Sequence, residues 1–415
     1  MALAINGSIP GPTIQANWGD YVVVHLTNNL PGDLKNGTSI HFHGIRQLYT
    51  NPNDGVVSIT QCPTAPNSTI TYKWRAMQYG TTWYHSHIGL QAWEGLFGGI
   101  VIHGPASANY DEDKGVIIVN DWDINTVDEL FGTAQLEGPP TLDNALINGQ
   151  RYDVIVKADQ ALVAKNFWLR AIPQTACSEN LSPNNIKGIV YYGDSPATPS
   201  TTKYSYTDSC VDEDMSDLTP IVSEAVSTPF YNKSESVSLA KNSHKLYRWR
   251  LNSTSMHVDW TDPTLLEVYR GHHSWANSSG VVELPHKNEW TYIVIETELS
   301  VPHPIHLHGH DFVILAQGSG TYDGDVTSLA KPPKRDTAML PEDGYLVIAF
   351  KTDNPGAWLL HCHIGWHTEE GFSIQFVERY DEIKALIDYD KLKNNCKSWD
   401  SYEISFNVEE NDSGV

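Results

Sequence analysis

The stretch that most constrains this chain is His361-Cys362-His363, with His367 four residues further on. In an extended strand, successive side chains point to opposite faces, so the stretch predicts one thiolate on one face and two imidazoles on the other. A strand of this kind can contribute to two metal sites at once. Its backbone would then be a short covalent connection between them.

Histidines separated by a single residue recur in other segments. The chain holds 18 histidines among 415 residues, for which chance predicts roughly one such spacing. Any one pair alone could be two ordinary surface or core histidines, but the repetition, together with the embedded cysteine, indicates a polynuclear metal site. The pairs are His41 and His43, His85 and His87, His306 and His308, and His361 and His363, with His310 extending the third.

The ligand types favour copper. Structural zinc sites commonly use paired cysteines, and five cysteines beside 18 histidines is the wrong ratio for one. One cysteine with two histidines is the ligand set of a blue-copper site, and Cys362, His367 and His303 are the candidates. His303 is the third candidate because, in an extended strand, its side chain would point to the face opposite to that of His306 and His308. The histidines that remain suit three further ions: His41, His43, His85, His87, His306, His308, His361 and His363.

Four segments resemble the copper-binding motifs of the multicopper oxidases, in the same order along the chain: SIHFHG, TWYHSH, HPIHLHGH and HCHIGWH. The stretches PGPTI, DGVVSITQCP and RDT resemble fungal laccases, and the final Asp412-Ser413-Gly414-Val415 is similar to the short C-terminal plug of ascomycete laccases. The resemblance implies four coppers per chain, one of type 1, one of type 2 and two of type 3. It also implies one-electron oxidation of an organic substrate coupled to reduction of O2 to water.

The resemblance assigns a role to each candidate ligand. His303, Cys362 and His367 match the type 1 ligands, and His41 and His306 match the type 2 ligands. The remaining six match the ligands of the type 3 pair: His43, His85, His87, His308, His361 and His363.

Three further residues join the candidate site. Asp54 lies in Asn53-Asp54-Gly55, which by composition is a turn; the resemblance implies an acid beside the type 2 copper on the proton route. Phe372 stands at the axial position of the type 1 copper, and Ile364 is expected on the opposite side. Phenylalanine cannot coordinate, so the copper potential should rise, which favours phenols and aromatic amines. Phe372 would also serve as ordinary core filling.

The chain length suits about three domains of cupredoxin size. Short β-branched runs bounded by turn residues predict strands at 21–30, 98–104, 115–121, 152–158, 290–298 and 345–352, and helical periodicity is confined to 380–393. We therefore expect an all-β protein of three cupredoxin-like antiparallel β-sandwich domains with Greek-key connections. The expected boundaries are 1–108, 109–225 and 226–415, with copper ligands only in the first and third.

The acidic composition fits a secreted protein, and we expect a monomer. The net charge of −23 disfavours nucleic acid, and no apolar run approaches a membrane span. Four cysteines besides Cys362 allow three pairings, and the resemblance implies Cys62–Cys396 and Cys177–Cys210. The start of the sequence lacks the features of a signal peptide. Eight Asn-x-Ser/Thr sequences favour glycosylation: Asn6, Asn36, Asn67, Asn180, Asn232, Asn252, Asn277 and Asn411.

The second domain departs from the family pattern. After Asn148 the chain runs directly into Gly149-Gln150-Arg151-Tyr152-Asp153, which resembles a much later strand, so roughly sixty residues are missing by comparison with usual domain lengths. We also expect the family's additional N-terminal strand to be missing. The lost segment would contain the acid that accepts the phenol proton, so no residue is assigned to that role. Two alternatives to an active laccase stay open: a copper-binding but catalytically impaired protein, and a ferroxidase. The natural substrate and pathway are left open as well.

Overall fold

The computed structural model describes residues 2–31, 37–120, 122, 125–138, 149–177, 182–202, 205–214, 218–229, 231–257, 259–324 and 331–406. The C-terminal residues 412–415, which resemble a laccase plug, and Asn148 at the predicted junction lie outside these ranges. The architecture is mostly β, with few helices, and confirms the expected cupredoxin-type fold class.

The first part of the chain forms two packed sheets. One has the strand order β1-β6-β5-β3, and the other pairs β2 with β4. Phe42, Tyr72 and Trp74 are fully buried between them. The pairing of β1 with β6 is parallel, whereas the others are antiparallel. The strands are β1 (Gly11–Asn17), β2 (Tyr21–Thr27), β3 (His41–His43), β4 (Thr69–Arg75), β5 (Gly80–His85) and β6 (Phe97–His103).

The last part is a larger sandwich, with one sheet in the order β10-β9-β12-β17-β14-β15 and a second in the order β11-β19-β18-β13-β16. Apolar side chains of both sheets meet in one core that also contains Cys362. The strands are β9 (Tyr231–Lys241), β10 (Tyr247–Leu251), β11 (Val281–Leu284), β12 (Trp290–Thr297), β13 (His303–Leu307), β14 (Phe312–Ser319), β15 (Lys334–Arg335), β16 (Thr337–Leu340), β17 (Gly344–Lys351), β18 (Gly356–Cys362) and β19 (Ser373–Glu378).

The middle part is where the sequence prediction of strands was wrong. In the described residues, 115–120 and 152–158 have no strand structure; the ladder found in this region joins β7 (Asn166–Arg170) and β8 (Lys187–Tyr191). Ile117 and Val154 are 70% and 79% exposed. Sequence runs with strong β propensity become strands only where a neighbouring strand and a buried face are available. Within the described residues, neither run pairs with a neighbouring strand, although Ile118 packs against Trp83 and Phe97.

Helices account for the rest of the regular structure. The helical pattern at 380–393 is present, but it is split into α4 and α5 by a 3-10 turn at Lys384–Leu386, and α5 continues to Phe406. The helix of the middle part packs on the last sandwich, where Phe131 stacks on Trp366 with ring centroids 6.1 Å apart. The helices are α1 (Val127–Glu137), α2 (Thr264–Arg270), α3 (Gly365–Glu369), α4 (Tyr380–Ile383) and α5 (Tyr389–Phe406).

Both disulfides implied by the resemblance are present. Cys62 and Cys396 join the first part to α5 across a sequence separation of 334, and Cys177 is bonded to Cys210. Among the helices of the described residues, none combines the length and the apolar character needed to cross a membrane.

Candidate metal centre

The predicted thiolate group comes together at the end of β18. The Cys362 Sγ lies 3.5 Å from Nδ1 of His367 and 3.7 Å from Nδ1 of His303. The two imidazole nitrogens are 3.1 Å apart. All three side chains are buried in the larger sandwich. One sulfur and two nitrogens thus converge on one small volume, which is the donor set of a blue-copper site.

The surroundings of this group are apolar. The fully buried Phe372 ring lies 4.9 Å from the His303 ring, and Ile364 belongs to the same hydrophobic cluster as Cys362. Trp249 packs on His367 with ring centroids 4.2 Å apart. The site is therefore closed to water and offers no further donor from Phe372 or Ile364 side chains.

The eight other predicted histidines form a second group, in which every side chain is buried. His43 stacks on His306 at 3.8 Å between centroids, and the rings of His41 and His308 are 4.0 Å apart. The members are His41, His43, His85, His87, His306, His308, His361 and His363. Two strand pairs, one from each sandwich, supply most of this histidine cluster.

Strand register explains why the histidines meet. In the first part β3 pairs with β5 so that His41 lies opposite His85. In the last part β13 pairs with β18 so that His306 lies opposite His361, while Ile305 lies opposite Cys362. Because neighbouring residues of a strand point to opposite faces, sulfur and imidazole separate as the sequence predicted.

The hydrogen bonds of the histidine cluster test whether it suits metal ions. Nδ1 of His41, His85 and His306 each lies 2.8 Å from a backbone carbonyl oxygen, to which it can donate. Within the described part of the chain, the buried Nε2 atoms of these three rings have no hydrogen-bond partner. A ring whose N–H is held by a carbonyl presents a bare lone pair on its other nitrogen, as metal-binding histidines do. The residues present therefore fit copper.

Protonation favours metal binding as well. Burial lowers the pKa of His303 to about 3, and burial together with neighbouring imidazoles lowers the pKa of His306 and His361. These rings are neutral at physiological pH and available as ligands. Burial raises the pKa of the Cys362 thiol, so a bound cation is needed to make it a thiolate.

Asp54 reaches the cluster from the first part. It follows a 3-10 turn at Asn51–Asn53, as its turn-like sequence predicted, and its side chain is fully buried. Its Oδ2 accepts a hydrogen bond from Nδ1 of His308 at 2.9 Å, and its backbone oxygen accepts one from His41 at 2.8 Å. Asp54 thus contacts two candidate ligands, one through its carboxylate and one through its backbone.

Sequence reasoning missed several side chains that surround both groups. The backbone oxygen of Asp336 accepts a hydrogen bond from His306, and the Thr337 hydroxyl lies 3.2 Å from Nε2 of His43. Thr368 and Trp249 contact the thiolate group and its flanking histidine. The RDT motif contains the first two, but in the sequence it carries only a resemblance to laccases and no role for either residue. Trp249 carries no sequence signal, because it comes from a distant strand.

The chain belongs to the multicopper oxidases. Two family profiles, both described as multicopper oxidase, match residues 1–107 and 240–382. The chain is 38% identical to Laccase-2 and 39% identical to Laccase-1 of Botryotinia fuckeliana, in both cases over all of this chain and 85% of the relative. The family implies four coppers, of types 1, 2 and 3.

Solved structures agree with this assignment. The laccase from Botrytis aclada superposes with a TM-score of 0.88 at 37% identity, covering 99% of this chain and 90% of that one. Fet3p, a multicopper oxidase that functions in iron import, superposes with a TM-score of 0.76 at 24% identity, which shows the fold alone. The alignment with Laccase-2 runs over 503 positions, more than this chain has residues, so segments of that relative face gaps here.

Proposed function

We propose that this protein is a laccase, which oxidises phenols or aromatic amines one electron at a time and reduces O2 to water. The observation that carries the proposal is the convergence of Cys362 with two imidazoles on one side of β18, beside the buried histidine cluster on the other. When bound, the coppers supply the one-electron oxidation and the four-electron reduction. The protein supplies the positions of the ligands, a dry environment and a route for protons.

The geometry supports a specific division of the ligands. His303, Cys362 and His367 would hold the type 1 copper, and His41 with His306 would hold the type 2 copper. Donor atoms of His87, His308 and His361 approach one another within 4.8 Å, which suits one type 3 copper. His43, His85 and His363, with ring centroids 4.9–5.7 Å apart, suit the other.

Phe372 and Asp54 would set the reactivity. Phe372 and Ile364 lie beside the residues that would hold the type 1 copper and offer it no further donor, so a bound copper is expected to have a high potential. Such a potential suits phenols and aromatic amines. Asp54 would carry protons toward the type 2 side, since its carboxylate already accepts a hydrogen bond from His308.

We also propose that the protein acts as a secreted, glycosylated monomer. In the described part of the chain, five predicted acceptor side chains are exposed: Asn6, Asn67, Asn232, Asn252 and Asn277. Extracellular conditions also suit the two disulfides. Enzymatic removal of N-linked sugars from protein secreted by a fungal host should lower its mass, and an unchanged mass would refute glycosylation.

A ferroxidase is the weaker candidate. Its Fe(II) site would need carboxylates open to solvent near His367, but Glu369 and Glu370 are 4% and 2% exposed. The two Botryotinia fuckeliana laccases and the Botrytis aclada laccase are 37–39% identical to this chain, whereas Fet3p is 24% identical.

The decisive experiment is O2 uptake by purified, copper-loaded protein with a methoxyphenol. We expect four coppers per chain and O2 consumption that requires the phenol. His367→Gln should abolish phenol oxidation, whereas the matched change His25→Gln, at an exposed histidine far from the copper motifs in sequence, should not. A blue, fully loaded protein that consumes no O2 would instead favour the catalytically impaired alternative.

A further inference from the structure

A guanidinium from the middle part of the chain reaches the edge of the histidine cluster. Nη1 and Nη2 of Arg151 donate to Oδ1 and Oδ2 of Asp336 at 2.5 and 2.6 Å. The side chain of Asp336 is 4% exposed and that of Arg151 is 26% exposed. The pair has the two-pronged geometry that a guanidinium forms with a carboxylate and that an ammonium group cannot reproduce.

Asp336 in turn contacts the candidate ligands. Its backbone oxygen accepts a hydrogen bond from Nδ1 of His306 at 2.8 Å. Its Oδ1 accepts a hydrogen bond from the Thr337 hydroxyl at 3.2 Å, and that hydroxyl is 3.1–3.2 Å from nitrogens of His306 and His43. A change in the position of Asp336 would therefore be transmitted to two stacked imidazoles.

Glycines leave room for this arrangement on both sides. A Cβ atom at Gly44 would collide with Nη2 of Arg151 and lie 2.6 Å from Asp336, and a Cβ atom at Gly149 would lie 2.8 Å from the His43 ring. Both glycines have positive φ. Arg151 also donates to the backbone oxygen of Gly149 at 2.8 Å, which ties the guanidinium to its own segment.

The two residues next to Arg151 in sequence are also held by hydrogen bonds. Gln150 donates to Asp212, which also accepts a hydrogen bond from the backbone N–H of Met339 in β16 at 2.8 Å. Tyr152 donates to Glu213 at 2.7 Å. Three consecutive residues are thus held in place, directly after the junction that the sequence predicts.

The Arg151 guanidinium keeps its positive charge although it lies at the edge of the histidine cluster. Burial alone would lower the pKa of Arg151, but the carboxylates of Asp336 and Asp311 outweigh burial and raise it. Asp336 is therefore faced by a permanent positive charge.

We propose that Arg151 is a positioning residue for the trinuclear site, where it holds Asp336 so that His306 and His43 keep the orientation that copper requires. This inference rests on the proposed function, since it assigns both imidazoles to copper. It gives the shortened middle part a direct role in metal binding. Outer partners of metal-binding histidines typically contribute about 10- to 100-fold to metal affinity or activity.

The test compares Arg151→Gln with Arg151→Lys and with Arg335→Gln. Arg335 is the matched control, because it pairs with Glu213 of the middle part and adjoins Asp336 in sequence without contacting its carboxylate in the described structure. Each protein is loaded with copper, and copper content, the type 2 paramagnetic resonance signal, the type 3 near-ultraviolet band and the blue band are measured. Thermal unfolding of the copper-free proteins is recorded in parallel.

For Arg151→Gln we expect a loss of about 10- to 100-fold in copper affinity at the histidine cluster and an altered type 2 signal, with the blue band retained. Arg151→Lys should show an intermediate loss of copper affinity, since it keeps the positive charge but cannot form both hydrogen bonds to Asp336. Arg335→Gln should leave all copper signals unchanged. If Arg151→Gln does not fold, the lysine variant provides the same readouts.

Two outcomes would overturn the inference. Copper signals that are unchanged in both Arg151 variants, with only a lower unfolding temperature, would make the pair a purely structural ion pair. An equal loss in Arg335→Gln would point to general loosening of the middle part. Failure of the proposed function looks different: wild-type protein would then show normal copper signals without phenol-dependent O2 uptake.

Discussion

Glu370 is expected to make the stability of this protein depend strongly on pH. Its side chain is 2% exposed and lies at the end of α3, the helix that contains His367 of the thiolate group. Burial raises its pKa to about 8, and the nearby Arg248 and Trp249 offset only part of that effect. The folded protein therefore binds a proton at neutral pH that the unfolded chain, with an ordinary glutamate, releases.

The free energy of unfolding depends on pH because the folded and unfolded states bind the Glu370 proton with different affinity. A raised carboxyl pKa in the folded state means that the free energy of unfolding falls as pH rises from the ordinary glutamate value toward about 8. Each unit of difference corresponds to 1.36 kcal/mol, so the loss between pH 5 and pH 8 is about 3–4 kcal/mol. For a chain of this length, 1 kcal/mol shifts the unfolding midpoint by about 1 °C.

The assay is thermal unfolding of copper-free protein at several pH values for wild type and Glu370→Gln. Glutamine keeps the shape and removes the titration, so the variant should unfold about 3–4 °C higher relative to wild type at pH 8 than at pH 5. Glu342→Gln makes the same chemical change at an exposed position and should follow the wild-type curve. Parallel curves for wild type and Glu370→Gln would refute the reasoning.

Three further outcomes are expected. Cys362→Ser should remove the blue absorption band while the histidine cluster still binds copper; a persistent band would contradict the assignment of the sulfur. Phe372→Met should lower the type 1 potential in a redox titration, because its thioether offers a weak donor that phenylalanine lacks; methionine is smaller, so the variant should also lose some stability at this fully buried position. An unchanged potential would mean that this side chain does not face the copper. Replacing Cys62 and Cys396 together by serine should reduce the free energy of unfolding by about 2–4 kcal/mol in denaturant titrations, and an unchanged midpoint would show that the bond constrains little.

The metal centre could be predicted from sequence because its signal is local. Alternation along a strand separates Cys362 from His361 and His363, and the i, i+2 spacing of the other pairs obeys the same rule. No knowledge of the tertiary structure was needed to recognise the donors. The structure brings these predicted donors together as two groups.

Contacts between distant segments could not be predicted in that way. Trp249 reaches His367 from β10, which is distant in sequence, and Arg151 reaches Asp336 across 185 positions of the chain. Neither residue belongs to a repeating pattern. The strands predicted at 115–121 and 152–158 failed for a related reason: β propensity describes a side chain that suits a sheet, but the sheet itself must come from other parts of the chain.

The pairing of β18 with β13 has a consequence for how the enzyme matures. A register shift of one residue would turn the Cys362 side chain toward the histidine cluster and the His361 and His363 side chains toward the apolar core. Neither metal centre could then bind its ions. A C-terminal sandwich with this register error would therefore bind neither set of coppers and would remain colourless.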